Sequence, residues 1–204
     1  MEKGSAENTP PSPPYKGGAR GSENGFSDAP DRSVLIGKAV HYILERWDFK
    51  NDKLVVESIR EDTKEEMIPE DVINRFVPHQ SAIDMSSVKH EIKGIMKTFL
   101  FSPAYKELKA AEIIGREVPF AISWEGQVME GFMDVIFKDG DNVYIADYKT
   151  DRVLESELEN KAAEYFVSGR IYSEAVKRCM GIKAAGFKLI FLRTGKSILI
   201  KLQN

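Results

Sequence analysis

From about residue 112 the apolar positions alternate with polar ones, while on either side they recur every three or four residues. Period two predicts strands and the longer period predicts helices. Residues 112–124 read as a first strand and Glu125-Gly126-Gln127 as a turn. Residues 128–151 then form two strands around Asp139-Gly140, a dipeptide suited to a two-residue type I′ loop. Upstream, Ile36, Val40, Ile43, Leu44 and Trp47 make the apolar stripe of a helix running from Ser33, its N-cap, to about residue 49. Asp84 caps a second helix with Met85, Val88, Ile92, Met96 and Phe99 on one side, and Ser102-Pro103 starts a further turn carrying Tyr105 and Leu108. A short helix is expected at 69–76, with His79 in a loop after it. Downstream, Leu158, Ala162, Tyr165, Gly169, Tyr172, Val176 and Cys179 predict one long helix over about 156–180. Strands follow at about 187–193 and 197–202. These elements predict an α/β fold: a central mixed sheet flanked by helices.

A loop at Asp139-Gly140 sets Asp134 opposite Ile145. Alternation then puts Asp134 on the same face as Asp147 and Lys149, with the two aspartates as diagonal neighbours about 7 Å apart at Cβ. Two carboxylates and an ammonium among Val, Ile, Phe and Met are costly to desolvate unless they pair or hold a metal. A one-residue slip would carry Asp134 to the wrong face.

GFMDVIF (131–137), followed by YIADYKTDRV (144–153), resembles the RecB and AddA nuclease domain of the PD-(D/E)XK superfamily of metal-dependent nucleases. REVPF (116–120) and the helical GxxxH of Gly37 and His41 extend the resemblance to roughly residues 33–180. It implies a restriction-endonuclease-like core in which His41, Asp134, Asp147 and the Tyr148 carbonyl hold Mg²⁺ or Mn²⁺. Lys149 would meet the scissile phosphate or the attacking water, and Glu117 would lie near the metal. Read alone, Glu117 is equally an exposed strand residue and His41 a partly buried helical one, with Glu45 one turn later as a hydrogen-bond acceptor for it.

The family's Q-x-x-x-Y on the late helix ends at Tyr172, but Ser168 stands where the glutamine belongs. The shorter hydroxyl does not reach where a glutamine amide would, to DNA or to a metal-bound water, and this puts full activity and the usual substrate preference in question. Arg170, beside Lys161, Lys177 and Arg178, lies off the apolar stripe, free to meet phosphates or simply solvent. By resemblance the substrate is DNA, single-stranded or at a duplex end, and the partner is a helicase, present as a fused domain or as another chain. The alternatives are a non-catalytic DNA-binding or assembly module and a junction-resolvase-like endonuclease.

Composition narrows this further. Residues 1–32 hold five of the nine prolines and five of the fifteen glycines, so a disordered tether or dispensable leader is expected there, ahead of a nuclease domain at 33–204. The net charge of −3 argues against binding nucleic acid by bulk charge, leaving local basic groups to do so. The single cysteine, Cys179, excludes a four-cysteine iron–sulfur cluster within the chain. No apolar run approaches a membrane span and no signal peptide is evident, so a cytoplasmic protein without membrane contact is expected. Gly195-Lys196-Ser197 imitates the end of a P-loop, but Ile190 occupies a required glycine position and a strand follows, so nucleotide binding is rejected.

Overall fold

Asp31 starts the first helix by accepting the Ser33 N–H at 2.9 Å, so α1 runs Arg32–Arg46 and Ser33 lies in its first turn. The computed structural model describes residues 31–52 and 84–202; the expected helix at 69–76, His79 and most of the 1–32 tail lie outside them. Asp84 caps α2 (Met85–Leu100) through the Ser86 N–H, and Ser102 caps α3 (Pro103–Ala110) through the Tyr105 N–H. Caps of this kind satisfy donors that a helix leaves unpaired, which is why the boundaries follow local residues. Trp47 and Phe49 fall just beyond α1 and turn inward, where their rings meet Phe99 and Tyr105 with centroids 5.6–6.2 Å apart.

The sheet follows: β1 (Glu112–Trp124), β2 (Gln127–Asp139), β3 (Asn142–Lys149), β4 (Ala184–Phe191) and β5 (Lys196–Ile200), adjacent in that order. Only the β3–β4 pair is parallel. One apolar layer lies between the sheet and α1–α3, drawing on Val135, Phe137, Ala146, Tyr148, Ile190 and Leu192. On the other face Ile136, Ile145, Phe187, Leu189 and Phe191 meet the helices that follow β3.

The long helix expected over 156–180 is divided. A 3₁₀ turn at Glu155–Glu157 leads to α4 (Leu158–Ala163), the chain breaks at Glu164 and Tyr165, and α5 (Phe166–Met180) ends at Gly181 with φ +69°. Two tertiary demands override the continuous period: the Tyr165 ring lies beneath Lys149, with Nζ 4.2 Å from its centroid, and Gly169 abuts Phe187.

The β2–β3 register also differs from expectation. Asp139 pairs with Asn142 and Ile136 with Ile145, so the loop is Gly140-Asp141. Gly140 takes φ +56°, the first-position glycine that a type II′ loop requires. Asp134 is therefore not opposite Ile145. Continuing the register sets it across from Asp147, and because the shift is two residues no side chain changes face.

Candidate metal centre

The β1–β2 ribbon changes sides at one pair of residues. Arg116 and Val135, which are paired, face the α1 layer, with the Arg116 guanidinium 5.2 Å from the Phe49 ring centroid. The next pair, Val118 and Met133, packs into the opposite layer. Between them stand Glu117 and Asp134. Glu117 has φ +45°, a left-handed conformation costing a non-glycine residue on the order of 1–3 kcal/mol. That residue turns the ribbon and presents both carboxylates toward α1.

His41 meets them from the helix. Its Nδ1 lies 3.2 Å from Asp134 Oδ1 and 3.9 Å from Glu117 Oε1, while Nε2 lies 3.1 Å from the Tyr148 carbonyl oxygen. One ligating atom from each of His41, Glu117 and Asp134 falls within 4.8 Å of the others. Gly37, one turn earlier, allows this approach: a Cβ there would sit 3.3 Å from Thr150 Oγ1. Val135–Ala146 is the last paired position between β2 and β3. Beyond it the Tyr148 N–H donates to Asp134 Oδ2 at 2.6 Å, so a carboxylate occupies the gap where the strands part.

Asp147 lies beside this group but outside it, with its Oδ2 paired to Lys149 Nζ. Burial raises the Asp147 pKa to about 7, with the Asp134 charge adding to the effect and Lys149 opposing it. Asp134 is held at about 2: burial works against its ionisation, but the His41 charge and hydrogen bond, with the Tyr148 N–H, outweigh that cost. His41 is raised well above its ordinary value, because Asp134 and Glu117 overcome the burial penalty on the imidazolium. Lys149 is also raised, Asp147 and Tyr165 prevailing over desolvation. The cluster thus consists of acids that attract positive charge, with protons holding part of the place a cation can take. An imidazole nitrogen and two carboxylates suit Mg²⁺ or, more readily, Mn²⁺.

The other expected residues lie along α5. The Tyr172 ring contacts Phe120 and Phe187, with centroids at 5.4 and 5.6 Å, and Arg170 lies 5.3 Å from the Trp124 ring centroid at the tip of β1. Ser168 is half-buried beside Gly169. The apolar period marks Tyr165 only as part of a helical stripe. Its place under Lys149 has no signal in that period, because the helix break that creates it has none.

An α/β core in which a strand aspartate, an Asp-x-Lys on the neighbouring strand and a helical histidine converge has the layout of a nuclease. The chain belongs to the PD-(D/E)XK nuclease superfamily, whose family model matches residues 15–199. It is similar to an ATP-dependent helicase/nuclease subunit of the AddA type from Thermoanaerobacter sp. strain X514, 28% identical over 178 residues that cover 80% of this chain and 13% of that protein. The corresponding protein of Acetivibrio thermocellus is 26% identical over 164 residues, covering 72% of this chain and 12% of the relative. That of Clostridium acetobutylicum is 25% identical over 182 residues, covering 81% and 14%. These relatives bear out the RecB/AddA-type resemblance, and the chain spans a small part of their length. Among the described residues no helix is long and apolar enough to cross a membrane.

Proposed function

We propose that this chain is a DNA nuclease of RecB/AddA type that hydrolyses phosphodiester bonds with Mg²⁺ or Mn²⁺, acting on single strands or duplex ends beside a helicase motor. The convergence of His41 Nδ1, Glu117 Oε1 and Asp134 Oδ1, with Asp147 and Lys149 adjacent, carries this reading. His41, Glu117 and Asp134 would hold the ion, with Asp147 joining them once Lys149 turns to the substrate. A divalent ion held there supplies a Lewis acid that polarises the phosphate and lowers the pKa of water.

The protein's own groups prepare the rest. The Tyr148 N–H fixes the Asp134 carboxylate, and the Tyr148 carbonyl fixes the His41 ring through Nε2. Lys149, kept charged by Asp147 and supported by the Tyr165 ring, offers its ammonium to a phosphate oxygen. The test is digestion of end-labelled single- and double-stranded DNA with Mg²⁺, Mn²⁺ or EDTA, beside Asp134→Ala and Lys149→Ala. Cleavage that needs metal and falls at least about 100-fold in both variants is expected. Undiminished cleavage by a folded Asp134→Ala protein would overturn the assignment.

A further inference from the structure

Three arginines far apart in sequence converge on one carboxylate outside the metal cluster. Arg32, at the start of α1, reaches Glu91 Oε2 at 2.7 Å, while Arg152 and Arg193 both reach Oε1 at 2.6 Å. Arg32 also donates to the carbonyl and hydroxyl of Ser87, and Arg193 Nε donates to the Thr150 carbonyl at 2.6 Å. The Glu91 side chain on α2 is mostly buried and stays ionised: burial works against its charge, but Arg193 and Arg152 outweigh that cost. These groups border a cavity of about 210 Å³. Asp31 borders it as well, its carboxylate accepting the Ser33 N–H.

Among the described residues the charges do not cancel, since three guanidiniums face two carboxylates. Nor does one glutamate have enough lone pairs for the N–H donors of three guanidiniums. Arg32 and Arg152, with side chains 39% and 72% exposed, keep donors available to a ligand. The cavity opens next to the nuclease strand, because Thr150, which receives Arg193, directly follows Lys149. A neighbouring hollow that Arg152 also borders is lined by Asp151, Glu157 and Glu164 against Lys161, three acids to two cations, which favours an anion on the Arg32 side.

We propose that Arg32, Arg152 and Arg193, spread by Glu91, form a phosphate-binding subsite that grips the DNA strand beyond the scissile bond. The subsite rests on the nuclease reading above and supplies the local positive charge that a chain of net charge −3 needs to hold a polyanion. Glu91 is a positioning residue in it, and the arginines are the ligand contacts.

The experiment measures binding of a fluorescent single-stranded oligonucleotide by anisotropy in EDTA, where no cutting occurs, across a salt series. Arg32→Ala and Arg152→Ala are each expected to weaken binding about 3- to 10-fold and to reduce the log–log salt slope by about 1. Lys183→Ala, a change just before the far end of β4, should leave the slope unchanged. Glu91→Gln should weaken binding without removing any cation, a result that simple loss of an acid cannot give. Repeating the series with 5′-phosphate and 5′-hydroxyl oligonucleotides separates an end phosphate from an internal one. Wild-type slopes in both Arg32→Ala and Arg152→Ala would overturn the subsite, whatever Asp134→Ala does to cleavage. Weakened binding with no metal-dependent cleavage by the wild type would instead keep the subsite and remove the nuclease reading.

Discussion

At the scale of single residues, the buried carboxylates make stability depend on pH in a direction that follows from their shifts. Between the ordinary 3.8 and about 7, folded Asp147 keeps a proton that the unfolded chain has released, so metal-free stability falls as pH rises through that window. His41, raised above 6.5, extends the fall beyond neutrality. The contribution of Asp134 has the opposite sign: it is complete above 3.8 and is lost only as pH falls toward about 2. Thermal unfolding in EDTA should therefore give a lower Tm at pH 7.5 than at pH 5, and Asp147→Asn should flatten the difference. An equal slope in that variant would mean that another group carries it. Glu117 offers a second test. Glu117→Gly relieves the φ of +45° while deleting a proposed ligand. Metal-free stability should stay level or rise by about 1 kcal/mol, yet the Tm gain on adding Mn²⁺ should shrink. A variant that loses stability and keeps its full Mn²⁺ response would count against a ligand held by strain.

Among the elements, those with local determinants were legible in the sequence. The cap residues Asp84 and Ser102, the period of α2 and both ends of β1 follow from side chains within a few positions of each boundary. The register of β2 on β3 was less so, because Asp139-Gly140 and Gly140-Asp141 are both acceptable two-residue loops. The face shared by Asp134, Asp147 and Lys149 survived only because the two choices differ by an even step. Nothing local marks the break at Glu164 and Tyr165 or the left-handed Glu117, since both arise from contacts with distant strands. GxxxH and D-x-K indicated which residues to gather, while the distances among them depend on the ribbon's turn at Glu117. Gly169 shows the constraint between elements: a Cβ there would come 2.6 Å from Phe187 Cδ1. Gly169→Ala should cost about 1–3 kcal/mol by forcing α5 off β4, read as a lower urea midpoint. An unchanged midpoint would show that Phe187 swings aside freely.

For the molecule as a whole, the α1 layer is both core and the support of the proposed ligands. Phe99 is fully buried and touches Trp47, Phe49, Tyr105 and Tyr148, so it ties the helices to the strand that carries the Asp-x-Lys. Phe99→Ala should cost about 3–5 kcal/mol. Because His41 and Tyr148 rest on that layer, cleavage and near-UV circular dichroism should disappear at the same lowered temperature. Persistence of tertiary signal well above the loss of cleavage would show that the centre opens independently of the core.

The turn at Glu117 matters for solubility as well. Among the described strands β1 is an outer one of 13 residues, long enough for another chain to add a strand to it. Pro119 has no N–H to offer an incoming strand, and the Ser123 carbonyl is already taken by Arg178 Nη1 at 2.8 Å. With the backbone also turned at Glu117, little straight edge is left for a second molecule to extend. The distortion that delivers a carboxylate to the proposed metal centre thus also limits edge-to-edge growth along β1.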